Sequence, residues 1–261
     1  MPLRGYAKKL DKLYRSLNRR KYVHPDPLEF LYNYDDPADR EVVGLIASSL
    51  AYGRVGQILN SVRKVLDKLG ENPARRLVDL KKSSASRMFA DFRHRFQTGS
   101  EITALLCGIG GVVRKLGSLE AAYLAGGLVG RERHRDALGG FVKSIDPDGR
   151  CGHLLPDPAR GSACKRLHLF LRWMVRCDDV DPGGWRKIIP GDLVIPLDTH
   201  MHKIALAMGA TKRKTASIVT ALEITEAFGT IAPEDPVKYD FALTRLGIRN
   251  DMDFSTFLDN E

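Results

Sequence analysis

Long apolar runs are missing from this chain of 261 residues: no uninterrupted stretch approaches the ~18–20 residues of a membrane span. Met1-Pro2-Leu3-Arg4-Gly5 has no apolar h-region of a secretory signal, so a cytoplasmic protein without membrane contact is expected. Cysteine is scarce and scattered. Cys107, Cys151, Cys164 and Cys177 form no C-x-x-C, which removes the spacing of zinc ribbons and iron–sulfur clusters. Cys164 and Cys177, on or beside an amphipathic helix, read as small core residues. Strand-like alternation never persists beyond a few positions, and there are no internal repeats or low-complexity linkers. Acidic residues are also in deficit: 32 Asp and Glu face 41 Lys and Arg, a net charge of +9 that points to a polyanionic partner.

What is present is helical periodicity, enough for about nine helices and an all-α fold. Leu3, Tyr6, Leu10, Leu13, Tyr14 and Leu17 make the first stripe, and the basic run Arg19-Arg20-Lys21 closes it. Asp36 before Pro37 starts a second, largely apolar helix that Gly53 stops. A third runs from about Val55 to Leu69 with Gly70 as cap. From Ala74 to Phe96 the pattern weakens. Ser100 to Leu116 is helical, and Gly108, Gly110 and Gly111 there permit close helix contact. Shorter helices are expected over 118–124 and 133–145, then one over 162–176. Two more follow at about 214–228 and 236–246, the last with Asp235 as cap.

Two stretches carry candidate chemistry. Pro190 to Gly209 reads P-G-D-L-V-I-P-L-D-T-H-M-H-K-I-A-L-A-M-G. Met201, Ile204, Ala205 and Met208 define one buried helix face, and Gly209 stops it. Asp198 is then the N-cap, an ionised carboxylate held at the positive end of a helix. In a strand, Asp198, His200 and His202 would share a face and could bind one ion. In a helix each two-residue step turns by about 200°, so the helical reading leaves no metal site, and no cofactor is expected. Upstream, Lys165, His168, Arg172 and Arg176 share one arc of the 162–176 helix, opposite Leu167, Phe170, Leu171, Met174 and Val175. Lys165 reads either as a solvated lysine or as an amine nucleophile or phosphate contact. Burial or its cationic neighbours Arg166, His168 and Arg172 would favour the deprotonated amine a nucleophile needs. A carboxylate beside an amine suits breaking an N-glycosidic bond: one stabilises the oxocarbenium-like centre, the other attacks the sugar carbon.

At these residues the chain resembles the helix-hairpin-helix DNA glycosylase superfamily. V-I-P-L-D-T-H-M-H-K-I-A is similar to its aspartate motif, and A-C-K-R-L-H-L-F-L-R-W-M to the lysine-bearing helix of its bifunctional members. The separation of Lys165 from Asp198 is most similar to the archaeal 8-oxoguanine glycosylase branch. The whole chain further resembles a bacterial family of unknown function. The resemblance implies one unit over 1–261, with a central lobe at about 36–190 and a second lobe from 1–35 plus 191–261. It implies Asp198 and Lys165 as catalytic residues of a base-excision glycosylase with AP-lyase activity, acting on a damaged base such as an oxidised purine. The partner would be damaged duplex DNA, met by a nucleoid-associated monomer. Arg160, Gly161, Ser162, Arg172, His200, Lys203 and Arg54 would meet the nucleic acid. The turn Tyr52-Gly53-Arg54 stands where relatives place residues that enter the DNA gap. One departure is plain: the glycine-rich hairpin is replaced by Leu155-Pro156-Asp157-Pro158-Ala159-Arg160-Gly161-Ser162, so phosphate anchoring falls to Arg160, Gly161 and Ser162. Two other readings stand beside this one: a non-catalytic nucleic-acid-binding module, and a metal-dependent hydrolase using Asp198, His200 and His202.

Overall fold

A computed structural model describes residues 2–127, 134–248 and 257. These residues are mostly helical, with strand limited to one two-residue hairpin. The chain opens with a 3-10 turn, Pro2–Tyr6, leading into α1 (Ala7–Leu17), which buries Leu10, Leu13 and Leu17. A 3-10 segment at Pro27–Asn33, capped by Asp26, follows. Asp36 caps α2 (Pro37–Ser49) by accepting the Ala38 amide, with Pro37 fixing the first turn. Every residue from Glu41 to Ser49 is buried, so α2 is the central helix. Next comes α3 (Val55–Leu69), ended by Gly70 at φ +79° as expected.

The weakly patterned basic stretch resolves into two short helices, α4 (Pro73–Asp79) and α5 (Lys82–Met88), and a hairpin. Its strands, β1 (Arg93–His94) and β2 (Gln97–Thr98), pair antiparallel around the turn Arg95-Phe96. A capping box from Thr98 and Glu101 then starts α6 (Gly99–Leu116). Of Gly108, Gly110 and Gly111, two serve close packing: a Cβ on Gly108 would strike the Ile145 carbonyl, and one on Gly110 the Leu77 carbonyl. Next come α7 (Leu119–Ala125) and α8 (His134–Ile145); Arg133, where α8 was expected to begin, lies outside the described residues. The buried carboxylate of Glu41 reaches across from α2 to accept the Leu119 and Glu120 amides and the Trp185 indole N–H.

Four helices remain in chain order: α9 (Lys165–Val175), α10 (Thr199–Ala207), α11 (Ile218–Gly229) and α12 (Asp240–Ile248). The expected cap Asp235 does not start α12, which begins five residues later. Asp235 is instead bound by Arg176, whose Nε donates to it at 2.9 Å. α9 packs on α2, α10 on α12, and α12 on α1. One connected apolar core runs from Leu3 through α2 and α9 to Leu246. Cys164 is buried in it, but Cys177 is exposed, against expectation. No single helix among the described residues is long and apolar enough to cross a membrane.

Burial corrects the reading of α9 most. Its expected polar arc is not solvated: His168, Arg172 and Arg176 are buried, and only Lys165 at the first turn reaches the surface. The helix is enclosed because α12 and the loop after α9 supply acids to that side. Arg172 pairs with Asp181 and Asp240, and Arg176 with Asp178, Asp181 and Asp235.

Candidate active site

Asp198 lies at the end of the extended run Leu193–Leu197, which is buried throughout. As the N-cap of α10 it accepts the His200 amide at 2.9 Å and the Met201 amide at 2.7 Å through Oδ1. That leaves Oδ2, which receives an N–H from Lys165 Nζ at 2.8 Å. The first turn of α9 and the cap of α10 thus bring together two residues 33 positions apart (198 − 165). The side chains are 37% and 27% exposed, so the pair sits at a boundary rather than in the core or in open solvent. Burial pushes the Asp198 carboxyl up, but the Lys165 charge and hydrogen bond, with the two amides, outweigh it and hold the group below the usual range. Asp198 is therefore an ionised, oriented carboxylate at neutral pH.

Lys165 lines two cavities. The larger, about 490 Å³, is walled by Tyr52, His153, Pro156, Arg160, Ser162 and Arg166, among others. The smaller, about 130 Å³, is shared by Lys165 and Asp198 with Arg172, Asp240, Phe241 and Arg245. Arg166, read from sequence only as a neighbouring cation, is buried. It donates to the Ser49 carbonyl at 2.6 Å and to the His153 carbonyl. Among the described residues no carboxylate pairs with it, and burial lowers its pKa to about 10, so it remains a cation at neutral pH. Its guanidinium lies 4.8 Å from the Tyr52 ring centroid, and the His153 ring stands perpendicular to that ring with centroids 5.0 Å apart. Burial, then Arg166 and Arg95, lower the His153 pKa, so its ring is neutral at pH 7. The larger cavity is thus aromatic and cationic on one wall, with Lys165 at its edge.

Asp240 was not singled out from sequence, and no local pattern marks it. It is buried beside the pair, with Oδ2 on Arg172 and Oδ1 without a hydrogen-bond partner among the described residues. Burial, exceeding the pull of Arg172, raises its pKa to about 6.

The other sequence candidates divide. Arg160, Lys203 and Arg54 are exposed, and Arg160 also lines the larger cavity, with a loose contact to Asp157 at 3.8 Å. Ser162 is exposed, its Oγ accepting the Cys164 amide at 3.2 Å. The expected role of Gly161 is corrected: its amide donates to Pro158 and its carbonyl accepts from Ile218, so it has no free N–H for a phosphate. The reason is local, since 158–160 form a 3-10 turn that Gly161 closes at φ +76°. Arg172 is corrected too, because a guanidinium 4% exposed and held by two carboxylates cannot reach a phosphate. His200 is half-buried, its Nε2 enclosed and without a hydrogen-bond partner among the described residues, so that nitrogen does not face outward. His202 is buried with its Nε2 2.8 Å from the Arg213 carbonyl. Among the described residues no three His, Cys, Asp or Glu side chains are grouped to hold a metal ion.

Residues 26–249 match the family described as "Protein of unknown function (DUF2400)". The chain belongs to this family. The match covers every element from the Pro27–Asn33 segment to α12 and includes the Lys165–Asp198 pair, both cavities and the hairpin. No curated protein and no solved structure matches the chain.

Proposed function

We propose that this protein is a DNA base-excision glycosylase of helix-hairpin-helix type with AP-lyase activity. The observation that carries the reading is the 2.8 Å contact between Lys165 Nζ and Asp198 Oδ2, placed between two cavities rather than inside the core. A nucleotide turned out of the duplex would bring its sugar to this pair and its base into a cavity. Lys165 hands a proton to Asp198, and the free amine attacks C1′. As the C1′–Nζ bond forms, the glycosidic bond breaks, and the base leaves with the electron pair and takes the proton from Asp198. A second amine proton then passes by way of Asp198 to O4′ as the C1′–O4′ bond opens. An iminium between Lys165 and C1′ remains. Asp198 is suited to this shuttling because two helix amides fix its orientation while its second oxygen faces the amine.

The test is a panel of duplexes carrying single damaged bases. Wild type is expected to release one class of base, and Asp198→Asn to lose about 10⁴-fold in rate, near the upper range for removing a group that moves protons. Asn caps helices as well as Asp, so the variant keeps its fold. Borohydride should trap a covalent complex through Lys165. Full activity in Asp198→Asn would sink the assignment.

A second reading, DNA binding without chemistry, is favoured by one observation: every Asp198 contact is already satisfied within the protein, as a purely structural tie between α9 and α10 would have it. It predicts binding indifferent to lesions and to Asp198→Asn.

A further inference from the structure

Beside the larger cavity stands an element that the Lys165–Asp198 chemistry does not use. Phe96, at the tip of the β1–β2 hairpin, is 79% exposed, more than any other large apolar side chain described. An apolar ring that bare contributes nothing to the core and is free to meet a partner.

The hairpin beneath it is firmly held. The Tyr52 hydroxyl donates to the His94 carbonyl at 3.3 Å and contacts Gln97 Oε1. The His94 ring bridges Ser61 Oγ at 2.8 Å and the Tyr52 carbonyl at 3.2 Å. Thr98 anchors the far side through the capping box of α6. At the turn Arg95 takes φ +55°, the left-handed conformation that two-residue hairpin turns require. Its aliphatic stem lies against Gly53, where a Cβ would come 2.9 Å from Arg95 Cδ. The stem is pinned at several points while the ring at the tip is bare.

The surroundings choose the partner. Arg54, Arg93 and Arg95 are exposed and form no ion pair among the described residues; the Arg95 guanidinium lies 5.4 Å from the Phe96 ring centroid. Asp91 is the nearest acid in sequence, and it too is exposed without an ion pair to them. A protein helix would need an apolar groove, whereas Phe96 is a bare ring at the hairpin tip beside the Arg95 guanidinium. One flat ring flanked by unpaired cations, on a chain of net charge +9, fits stacked bases between phosphates. Tyr52 joins the two features, since it both ties down the hairpin and lines the cavity.

We propose that the β1–β2 hairpin is a DNA-contacting element that places Phe96 in the base stack beside the nucleotide held in the cavity, with Arg54, Arg93 and Arg95 on the flanking phosphates. Only the position of that nucleotide rests on the glycosylase reading; the contact with DNA does not. It also moves the gap-entering role from the turn Tyr52-Gly53-Arg54, where Tyr52 is committed to the hairpin stem, to the hairpin tip.

The test uses the full chain and two duplexes, one intact and one carrying a tetrahydrofuran abasic analogue that leaves a gap to fill. Phe96→Ala is expected to bind the gapped duplex about tenfold more weakly and the intact one as wild type does, from the loss of one aromatic–base stack. Phe96→Trp should restore the preference. Both variants should melt with wild type, because the ring is outside the core. An unchanged gapped-to-intact ratio in Phe96→Ala, or no binding to either duplex by wild type, overturns the proposal. Asp198→Asn keeps the two readings apart. Lost excision with an unchanged Phe96 effect supports both, whereas full excision with the Phe96 effect intact removes only the catalytic assignment. Lost excision in Asp198→Asn together with an unchanged ratio in Phe96→Ala removes only the hairpin.

Discussion

The two ends of α9 carry the same kind of residue and do opposite things. Lys165 and Arg172 lie two turns apart on one stripe, each facing carboxylates from later in the chain. At the N-terminal end a lysine shares one carboxylate oxygen at the edge of two cavities. At the C-terminal end Arg172 and Arg176 meet four carboxylates, Asp178, Asp181, Asp235 and Asp240, with both guanidinium groups 4% exposed. An enclosed cation saturated by acids holds the loop after α9, α12 and the Asp235 turn together. A half-open cation with one partner remains free to exchange that partner for a substrate. Within one stripe, the number of acids and the access to solvent separate an enclosed frame from an accessible pair.

Neutralising each end in turn breaks this comparison most sharply. Arg172→Met leaves Asp181 and Asp240 short of a counter-charge inside the protein and should cost about 3–5 kcal/mol, read by urea denaturation. Lys165→Met leaves Asp198 with its two amides and 27% exposed to solvent, so stability should shift by no more than about 1 kcal/mol while borohydride trapping vanishes. Equal destabilisation by the two variants would mean that the lysine is framework as well.

These two ends also mark how far the sequence could be read. The stop at Gly70, the start at Asp36-Pro37 and the cap at Asp198 were legible because each depends on a few adjacent residues. So was the close packing at Gly108 and Gly110. The state of Arg172 and Arg176 was not, because their acids come from a loop and from a helix some 60 residues downstream, and an amphipathic pattern looks the same whether its polar side meets water or carboxylates. The Asp235 cap failed for the same reason: Arg176 claims the carboxylate, and the helix starts at Asp240. The hairpin escaped notice because two-residue strands are too short for alternation to register. Lys165 with Asp198 was recoverable from the cap motif at Asp198 and from the basic arc of the 162–176 helix on which Lys165 lies. Arg166 and Asp240, which shape the cavities, have none.

A smaller effect comes from the middle of α9. His168 Nε2 lies 2.8 Å from His134 Nε2, and His134 Nδ1 is 3.1 Å from the Tyr123 hydroxyl. Burial lowers the His134 pKa from 6.5 to about 4 and, with His134 adding to it, takes His168 well below 6.5. The folded state therefore binds fewer protons than the unfolded one below pH 6.5. Stability from these rings is present above that pH and is lost as the pH falls from 6.5 toward 4, by about 1.4 kcal/mol per unit for each ring. Asp240 acts in the other sense: with its pKa raised to about 6, the stability linked to it is present at low pH and lost as the pH rises through 6. The net slope is thus a difference, and a variant isolates one part of it. His134→Gln should flatten the fall in stability between pH 6.5 and 4 by up to one proton's worth. A slope identical to wild type would show that the ring is charged in the folded state.

The smallest expected effect separates two adjacent residues that the sequence put to the same use. Arg160 is 85% exposed at the rim of the larger cavity, while Gly161 has spent its amide on Pro158. Arg160→Ala should weaken DNA binding a few-fold for all sequences and reduce the slope of log affinity against log salt by about one, as the loss of one phosphate contact does. Gly161→Ala should leave that slope alone and instead destabilise the fold by about 1 kcal/mol, because alanine disfavours φ +76°. Should Gly161→Ala change the salt slope and Arg160→Ala not, the phosphate would be held by the backbone after all. The turn at 158–161 would then have to open on binding to release an amide.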